Sequence, residues 1–135
     1  QSALPLDADK LTYLESKTLN SCKVYDYETS SYISVYDKEK LNSKDPYEVF
    51  LSGSKSLLTI RNENSTSDRK LILFRDSFGS SIAPLLVDSY AEITLIDIRY
   101  ISPSVIDRFV NLDGDNTDVL FLYSTLVLNN SETFK

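Results

Sequence analysis

The feature that most restricts the fold of this chain is a set of near-continuous apolar runs in its second half. These runs are predicted strands at Lys70–Phe74, Glu92–Ile98 and Asp118–Tyr123, and predicted helices separate them at Ser80–Ser89 and Pro103–Asn111. Strands that are apolar on successive residues are typical of sheets buried on both faces, and helical crossovers join parallel neighbours. The pattern therefore predicts an α/β fold with a parallel sheet covered on both faces.

The first half of the chain follows a different pattern. Tyrosines and β-branched residues alternate with polar ones in Lys23–Glu28 and in Tyr32–Asp37, with Thr29–Ser31 between them. A period of two predicts half-exposed strands joined by a hairpin. We therefore expect an antiparallel, β-rich appendage ahead of the parallel sheet. Asp37–Ser54 is predicted as loop and short helix, and Leu57–Ile60 as a short strand.

Length and composition indicate one folded domain. The 135 residues are 41% apolar and 25% charged, which is ordinary for a globular chain. Within this single domain, 1–135, we distinguish a hairpin- and loop-rich segment, residues 1–56, from a βαβαβ core, residues 57–135. The chain begins with Gln1 rather than methionine, which we interpret as the mark of a processed or truncated chain.

Charge and residue content exclude several classes of function. Fourteen basic and twenty acidic residues give a net charge of −6. The basic residues are scattered along the chain, so nucleic acid is not expected as a partner. Cys22 has no second cysteine with which to form a disulfide. The chain also has no histidine, so Cys22 lacks the further ligands that a soft-metal site needs. The acidic turn Asn111–Asn116 lacks the spacing of an EF-hand. We therefore predict no metal and no organic cofactor.

The strongest functional signal lies where the first apolar run ends in Arg75-Asp76-Ser77 and small residues follow. Hydrolases and acyltransferases of α/β architecture mount a serine nucleophile on such a strand-to-helix turn, beside backbone N–H groups that stabilise an oxyanion. Ligands of parallel sheets bind outside the carboxyl ends of the strands. Arg75–Ser77, Asp97–Tyr100 and Tyr123–Thr125 should therefore converge on one edge of the domain.

The absence of histidine conflicts with a self-sufficient serine nucleophile. A serine hydroxyl is a poor nucleophile at neutral pH until a base takes its proton, and the usual base is imidazole. An Asp-Ser pair is also a favoured way to begin a helix, which is the structural alternative for Asp76 and Ser77. If Ser77 is a nucleophile, this chain carries only half of an active site.

Two further groups of residues have both a functional and a structural interpretation. Arg99 could bind a carboxylate or phosphate, or it could form a structural ion pair with Asp97 or Asp76, and we favour the ion pair. Four tyrosines of the first half could form a sugar-stacking surface or simply fill the pleated face of a sheet, and we favour packing. These tyrosines are Tyr25, Tyr27, Tyr32 and Tyr36.

Three segments resemble the carboxy-terminal half of the bacterial DHHW family. They are Asp76-Ser77-Phe78-x-Ser80-x-x-x-Pro84-Leu85-Leu86, Tyr90-x-Glu92-Ile93-x-x-x-Asp97-x-Arg99-Tyr100 and Asp118–Tyr123. Tyr47–Gly53 fits the same family ahead of the nucleophile strand, so the resemblance covers roughly Thr18–Thr125. It implies an SGNH-hydrolase-like fold, a flavodoxin-like three-layer parallel sheet present in part, related to the domains of alginate O-acetyltransferases.

The resemblance also implies roles for single residues. Ser77 matches the nucleophile position, and the backbone N–H of Ser77 or Phe78 would contribute to an oxyanion hole. Asp76 would orient the turn. Asp97 and Arg99 match an Asp-x-Arg at the end of the next strand, as supporting or substrate-binding candidates. The family's Asp-His-His-Trp, and the Asp-x-His of the related acetyltransferases, are absent here, so we expect the base in an upstream portion of a longer protein.

The function that follows is a carboxy-terminal fragment of an esterase or carbohydrate O-acyltransferase of the bacterial cell envelope, inactive by itself. Its expected partners are a surface carbohydrate or acyl donor and the missing amino-terminal half of the same protein. Self-association through sheet surface exposed by truncation is a third expectation. The alternative is a non-catalytic module that binds carbohydrate or cell wall or serves as a structural part of the envelope, because a fold does not fix a function.

Overall fold

A mixed six-stranded sheet runs through residues 10–130, the part of the chain that the computed structural model describes. Its strands are β1 (Lys23–Asp26), β2 (Ser31–Ile33), β3 (Leu57–Arg61), β4 (Lys70–Arg75), β5 (Glu92–Ile96) and β6 (Thr117–Leu122). The α-helices are α1 (Lys17–Ser21), α2 (Gly79–Ile82), α3 (Pro103–Ile106) and α4 (Thr125–Asn129). Three 3₁₀ helices lie at Lys38–Asn42, Pro46–Val49 and Ala83–Leu86.

The strand order is β2-β1-β3-β5-β4-β6, and only part of the sheet is parallel. β4 runs parallel to β5 and to β6, whereas β3 pairs with β5 in the antiparallel sense. The α/β class is therefore confirmed, and β4, β5 and β6, the three strands predicted with helices between them, are parallel to one another. β3, which also lies in the segment 57–135, runs antiparallel to them. Only residues 62–69 join β3 to β4, and a parallel crossover needs about a dozen residues or more.

The predicted hairpin is present, but it is not an appendage. β1 and β2 pair as antiparallel strands with Tyr25 opposite Tyr32, and β1 also pairs with β3 through Tyr25 and Thr59. The hairpin thus extends the same sheet. β2 ends at Ile33, because Tyr36 turns into the core and forms an isolated bridge with Phe50.

The helices are shorter than predicted. The helix expected over Ser80–Ser89 is a turn of α-helix followed by a 3₁₀ helix that contains Pro84, which lacks an N–H and cannot continue an α-helical ladder. The helix expected at Pro103–Asn111 ends at Ile106. Its start agrees with the prediction, since the Ser102 side chain accepts from Ser104 N–H and Pro103 lies in the first turn.

The two faces of the sheet are covered unequally. The larger core lies between the sheet and the segments around α1, residues 35–51, α2 and the following 3₁₀ helix, and it includes Val24, Leu58, Leu73 and Leu95. A smaller core on the other face joins the carboxyl-end half of the parallel strands to α3, through residues such as Phe74, Ile96 and Ile106. The rest of this second face is open.

β6 is an edge strand despite its apolar sequence. Val119, Leu120 and Phe121 are 44%, 42% and 66% exposed, although the Phe121 ring stacks on Phe74 at 4.7 Å between centroids. The prediction that this strand is buried on both faces is wrong for the described residues, since Val119 and Phe121 are exposed on one face and Leu120 on the other. β4 pairs with one edge of β6, and no described strand pairs with the other edge. Within residues 10–130 no helix is long and apolar enough to cross a membrane.

Candidate active site at the carboxyl ends of the parallel strands

The ends of β4, β5 and β6 meet at one edge of the sheet. Arg75 Nη1 lies 3.7 Å from Asp97 Oδ2, which links the ends of β4 and β5. Ser124 N–H donates to Asp76 Oδ2 at 2.6 Å, which links the ends of β4 and β6. The three groups predicted to converge are therefore adjacent in the structure.

Asp76 holds the turn that follows β4. Its side chain is buried, and Oδ1 accepts a hydrogen bond from Phe78 N–H at 3.0 Å while Oδ2 accepts the one from Ser124. Backbone bonds from Gly79 N–H to Asp76 O and from Ser80 N–H to Ser77 O close the turn, each at 3.1 Å. The carboxylate thus fixes both the shape of the turn and its position against α4.

Ser77 lies on this turn and faces an open groove of ≈ 280 Å³. The groove is also lined by Asp45, Tyr47, Glu48, Ser54 and Phe78. Within residues 10–130, neither the hydroxyl nor the backbone N–H of Ser77 has a hydrogen-bond partner. Phe78 N–H is already occupied by Asp76, so of the two expected oxyanion donors only Ser77 N–H is unoccupied.

Tyr47 contacts the serine turn in a way that the sequence did not reveal. Its hydroxyl lies 2.9 Å from Ser81 Oγ, 3.2 Å from Ser77 O and 3.3 Å from Phe78 O. The ring is placed there by a 3₁₀ helix that begins at Pro46, where the Asp45 carboxylate accepts from Tyr47 N–H. The Asp-Pro pair predicted a local turn, but no local signal identifies a partner thirty residues further along the chain.

Arg75 is a second residue whose role the sequence did not reveal. Its side chain is fully buried beneath the serine turn, where Nη2 donates to Lys55 O at 3.0 Å and Nη1 reaches Asp76 O at 3.5 Å. Burial lowers the pKa of the Arg75 guanidinium, and the nearby Asp97 carboxylate opposes that shift. A guanidinium stays charged in proteins, so Arg75 is a buried cation that depends on Asp97 for its counter-charge.

Asp97 and Arg99 form an ion pair. Arg99 Nε and Nη2 donate to the two oxygens of Asp97 at 2.9 and 2.6 Å, and the Arg99 backbone N–H donates at 3.1 Å. These hydrogen bonds with Asp97 raise the pKa of Arg99. A two-pronged contact with a buried carboxylate occupies the guanidinium. The structural interpretation of Arg99 therefore fits the geometry better than an anion site.

Tyr123 makes the stability of this edge sensitive to alkaline pH. Burial first, and then the charge of Asp97, raise the pKa of Tyr123 from 10.0 to about 12. Between these values the folded protein keeps a proton that the unfolded chain has lost, so the free energy of unfolding falls as pH rises through this window. We expect Tyr123→Phe to reduce that fall, measured by urea unfolding from pH 9 to pH 12. Equal slopes in the two proteins would contradict this assignment.

Solved structures of other proteins share this fold. A DHHW family protein from Eubacterium siraeum matches with a TM-score of 0.63 and 24% sequence identity, over 94% of this chain and 42% of that chain. Bacillus cereus PatB1 matches with a TM-score of 0.63 and 21% identity, over 87% of this chain and 39% of that chain. PatB1 with a sulfonyl adduct gives 0.59 and 21%, over 87% and 40%.

These matches are structural. No protein-family model matches the chain, and no curated protein matches it. The chain spans only 39–42% of the length of the three structures. The chain has an α/β fold with a six-stranded mixed sheet, and its fold is similar to part of a DHHW family protein and to part of PatB1.

Proposed function

We propose that Ser77 is the nucleophile of an esterase or carbohydrate O-acyltransferase with an SGNH-like domain, located in the bacterial cell envelope. The observation that carries this proposal is the position of Ser77. It follows β4 directly, stands on a turn that Asp76 fixes, and lines an open groove with its own N–H unoccupied among the described residues. This arrangement supplies the nucleophile and one oxyanion donor for acyl transfer by a serine, and the base is the part that must come from elsewhere.

The reaction would proceed through an acyl-enzyme. Ser77 Oγ attacks the carbonyl carbon of an ester and gives its proton to a base, and the carbonyl oxygen becomes an oxyanion that accepts from Ser77 N–H. Collapse of this intermediate breaks the ester C–O bond, and the leaving alkoxide takes the proton from the base. Water or a carbohydrate hydroxyl then attacks the acyl-serine, with proton transfers in the reverse order.

The base would come from an upstream segment, since the chain contains no histidine. We propose that this chain is the carboxy-terminal part of a longer protein and that an upstream strand pairs with the edge of β6 that no described strand covers. Two features support this. The β6 run Val119–Leu122 has the composition of an internal strand, and the adjoining α4 exposes Leu126 and Leu128 at 79% and 56%. Without such cover, the same surface would favour self-association.

A sulfonyl fluoride provides the test, since sulfonyl groups attach to activated serine and a sulfonyl adduct is known for PatB1. The parent protein is the proposed longer protein that contains this chain. We expect it to gain one sulfonyl group, detected by mass spectrometry of the intact protein, and the isolated 135-residue chain to gain none. Ser77→Ala should abolish the adduct and the turnover of an activated acetyl ester. Ser54→Ala is the matched control, because Ser54 is an exposed serine of the same groove, and it should leave both unchanged.

The outcomes of this test are distinct. Modification that survives in a folded Ser77→Ala protein would exclude Ser77 as the nucleophile. A folded parent protein that gains no adduct and turns over no ester would favour the second candidate function, a carbohydrate-binding or structural module of the envelope. The absence of histidine from the whole chain is the observation that favours that candidate. An Asp-x-His in the coding frame upstream would favour the enzyme.

A further inference from the structure

The peptide unit between Ser77 and Phe78 is held at both of its polar groups. Its N–H donates to Asp76 Oδ1 at 3.0 Å, and its carbonyl oxygen, Ser77 O, accepts from Ser80 N–H at 3.1 Å. The Tyr47 hydroxyl lies 3.2 Å from the same carbonyl oxygen and comes from a different part of the chain. Because a peptide unit is planar, partners at both groups leave it little freedom to rotate. The backbone that carries the Ser77 side chain is therefore fixed from two sides.

The Tyr47 hydroxyl contacts the turn at more than one oxygen. Its shortest contact is with Ser81 Oγ, at 2.9 Å, and Ser81 Oγ itself lies within hydrogen-bonding distance of Phe78 O, at 3.1 Å. The contacts with the carbonyl oxygens of Ser77 and Phe78, at 3.2 and 3.3 Å, have the longer distances expected where two acceptors share one proton. A phenol can donate one hydrogen bond and also accept. One hydroxyl thus links the carbonyl of Ser77 to the end of the same turn.

The ring that carries this hydroxyl is itself held in place. Tyr47 N–H donates to the Asp45 carboxylate at 3.1 Å, at the start of a 3₁₀ helix. The Tyr47 ring packs against Phe50, with 5.1 Å between the ring centroids, and Phe50 is buried. A side chain that is packed on a regular element keeps its geometry better than one on a loose loop. The packing of the ring therefore holds the hydroxyl against the serine turn.

A strained loop follows this 3₁₀ helix and borders the groove. Leu51, Ser52 and Gly53 have φ angles of 55°, 56° and 89°, in the left-handed region that residues with a side chain rarely adopt. Such a conformation is costly and persists only where the surroundings impose it. Here Leu51 is fully buried, and its N–H donates to Val35 O at 2.9 Å. The loop thus places Gly53 in the lining of the groove that Ser77 faces.

We propose that Tyr47 is a positioning residue for the Ser77 nucleophile, an inference that rests on the proposed function. Within residues 10–130 the Tyr47 hydroxyl bonds to the backbone of the turn and to Ser81, but not to Ser77 Oγ. It therefore takes no proton from the nucleophile and acts through the turn. By holding the Ser77 carbonyl it keeps Phe78 N–H on Asp76 and leaves the N–H and hydroxyl of Ser77 to the groove. A misplacement of about 1 Å can cost about a hundredfold in rate.

The test is Tyr47→Phe, which removes the hydroxyl and keeps the ring. In the parent protein we expect kcat and kcat/KM for an activated acetyl ester to fall together about tenfold with KM unchanged, because the oxyanion forms only in the transition state. The rate of sulfonylation at Ser77 should fall by a similar factor. In the isolated 135-residue chain, amide hydrogen exchange at Phe78 and Ser80 should become several-fold faster, because the turn opens more easily. Amides of β4 should exchange as before.

Ser81→Ala tests the same link without changing the tyrosine, and it decides the matter if Tyr47→Phe does not fold. It removes the hydroxyl at 2.9 Å from Tyr47 Oη, and alanine suits this helical position. We expect a smaller fall in kcat, again with KM unchanged. In the double variant the fall should be less than the product of the two single effects, because both variants break one link.

Tyr90→Phe is the matched control. Tyr90 is also half-buried and its hydroxyl donates to Asp118 Oδ2 at 2.9 Å, but it lies at the opposite end of the parallel strands, so kcat should not change. The inference is overturned, and the proposed function left intact, if folded Tyr47→Phe turns over like an active parent protein, loses rate only through KM, or leaves amide exchange in the turn unchanged. A folded parent protein with no adduct and no turnover would instead overturn the proposed function, and this inference with it.

Discussion

Asp97→Asn is expected to lower the free energy of unfolding by about 3–5 kcal/mol, because it removes the stronger of the two counter-charges, Asp97 and Asp76, that act on the buried Arg75 cation. Arg75 and Asp97 are both fully buried, and their charged atoms are 3.7 Å apart. Asparagine preserves the shape of the side chain but removes the charge. It also weakens the two bonds that Arg99 donates to Asp97. The measurement is equilibrium unfolding in urea near neutral pH.

Two further variants separate the charge effect from a general effect of the substitution. Asp113→Asn makes the same change in an exposed turn, where we expect a shift within about 0.5 kcal/mol. The double variant Arg75→Met with Asp97→Asn leaves neither buried charge and should recover part of the loss. A shift below about 1 kcal/mol for Asp97→Asn would show that Arg75 does not depend on this carboxylate.

Gly79→Ala is expected to destabilise the protein by about 1–3 kcal/mol, although alanine is normally the better helix residue. Gly79 is the first residue of α2, and a Cβ there would lie 2.5 Å from Arg75 Cβ and 2.9 Å from Arg75 Cγ. These atoms belong to a fully buried side chain, and the position of its Cβ is fixed by the backbone of β4. The steric clash therefore outweighs the helix preference and reverses the usual sign.

Gly114→Ala is the control for this prediction. A Cβ at Gly114 would lie 2.8 Å from Thr117 Oγ1, a side-chain hydroxyl that can rotate away, and would meet Asn111 only at the ordinary contact distances of 3.7 and 3.8 Å. We expect its effect on unfolding to stay below about 1 kcal/mol. If Gly79→Ala is neutral or stabilising, the turn after β4 has more freedom than this packing allows. The position of Ser77 would then be less firmly fixed than the proposed chemistry requires.

Part of the fold and of the site could be predicted from local sequence. The alternation around Tyr25 and Tyr32 predicts the hairpin, and the apolar runs predict β4, β5 and β6, because side-chain periodicity depends only on neighbouring residues. Ser102 and Pro103 predict a helix start for the same reason. The Asp76-Ser77 pair after an apolar strand predicts the serine turn. The convergence of the strand ends follows from the general geometry of parallel strands.

Other features depend on contacts between distant residues. The sequence predicts a short strand at Leu57–Ile60, but only strand pairing decides that β3 runs antiparallel to β5 and makes the hairpin part of one sheet. Likewise, Arg75 and Tyr47 gain their roles from partners that lie far along the chain, Lys55 and Ser81 among them. Hydrophobic pattern and turn residues are encoded locally, and they determine which elements form. Strand order, edge exposure and buried polar contacts arise when those elements pack, so only the tertiary structure decides them.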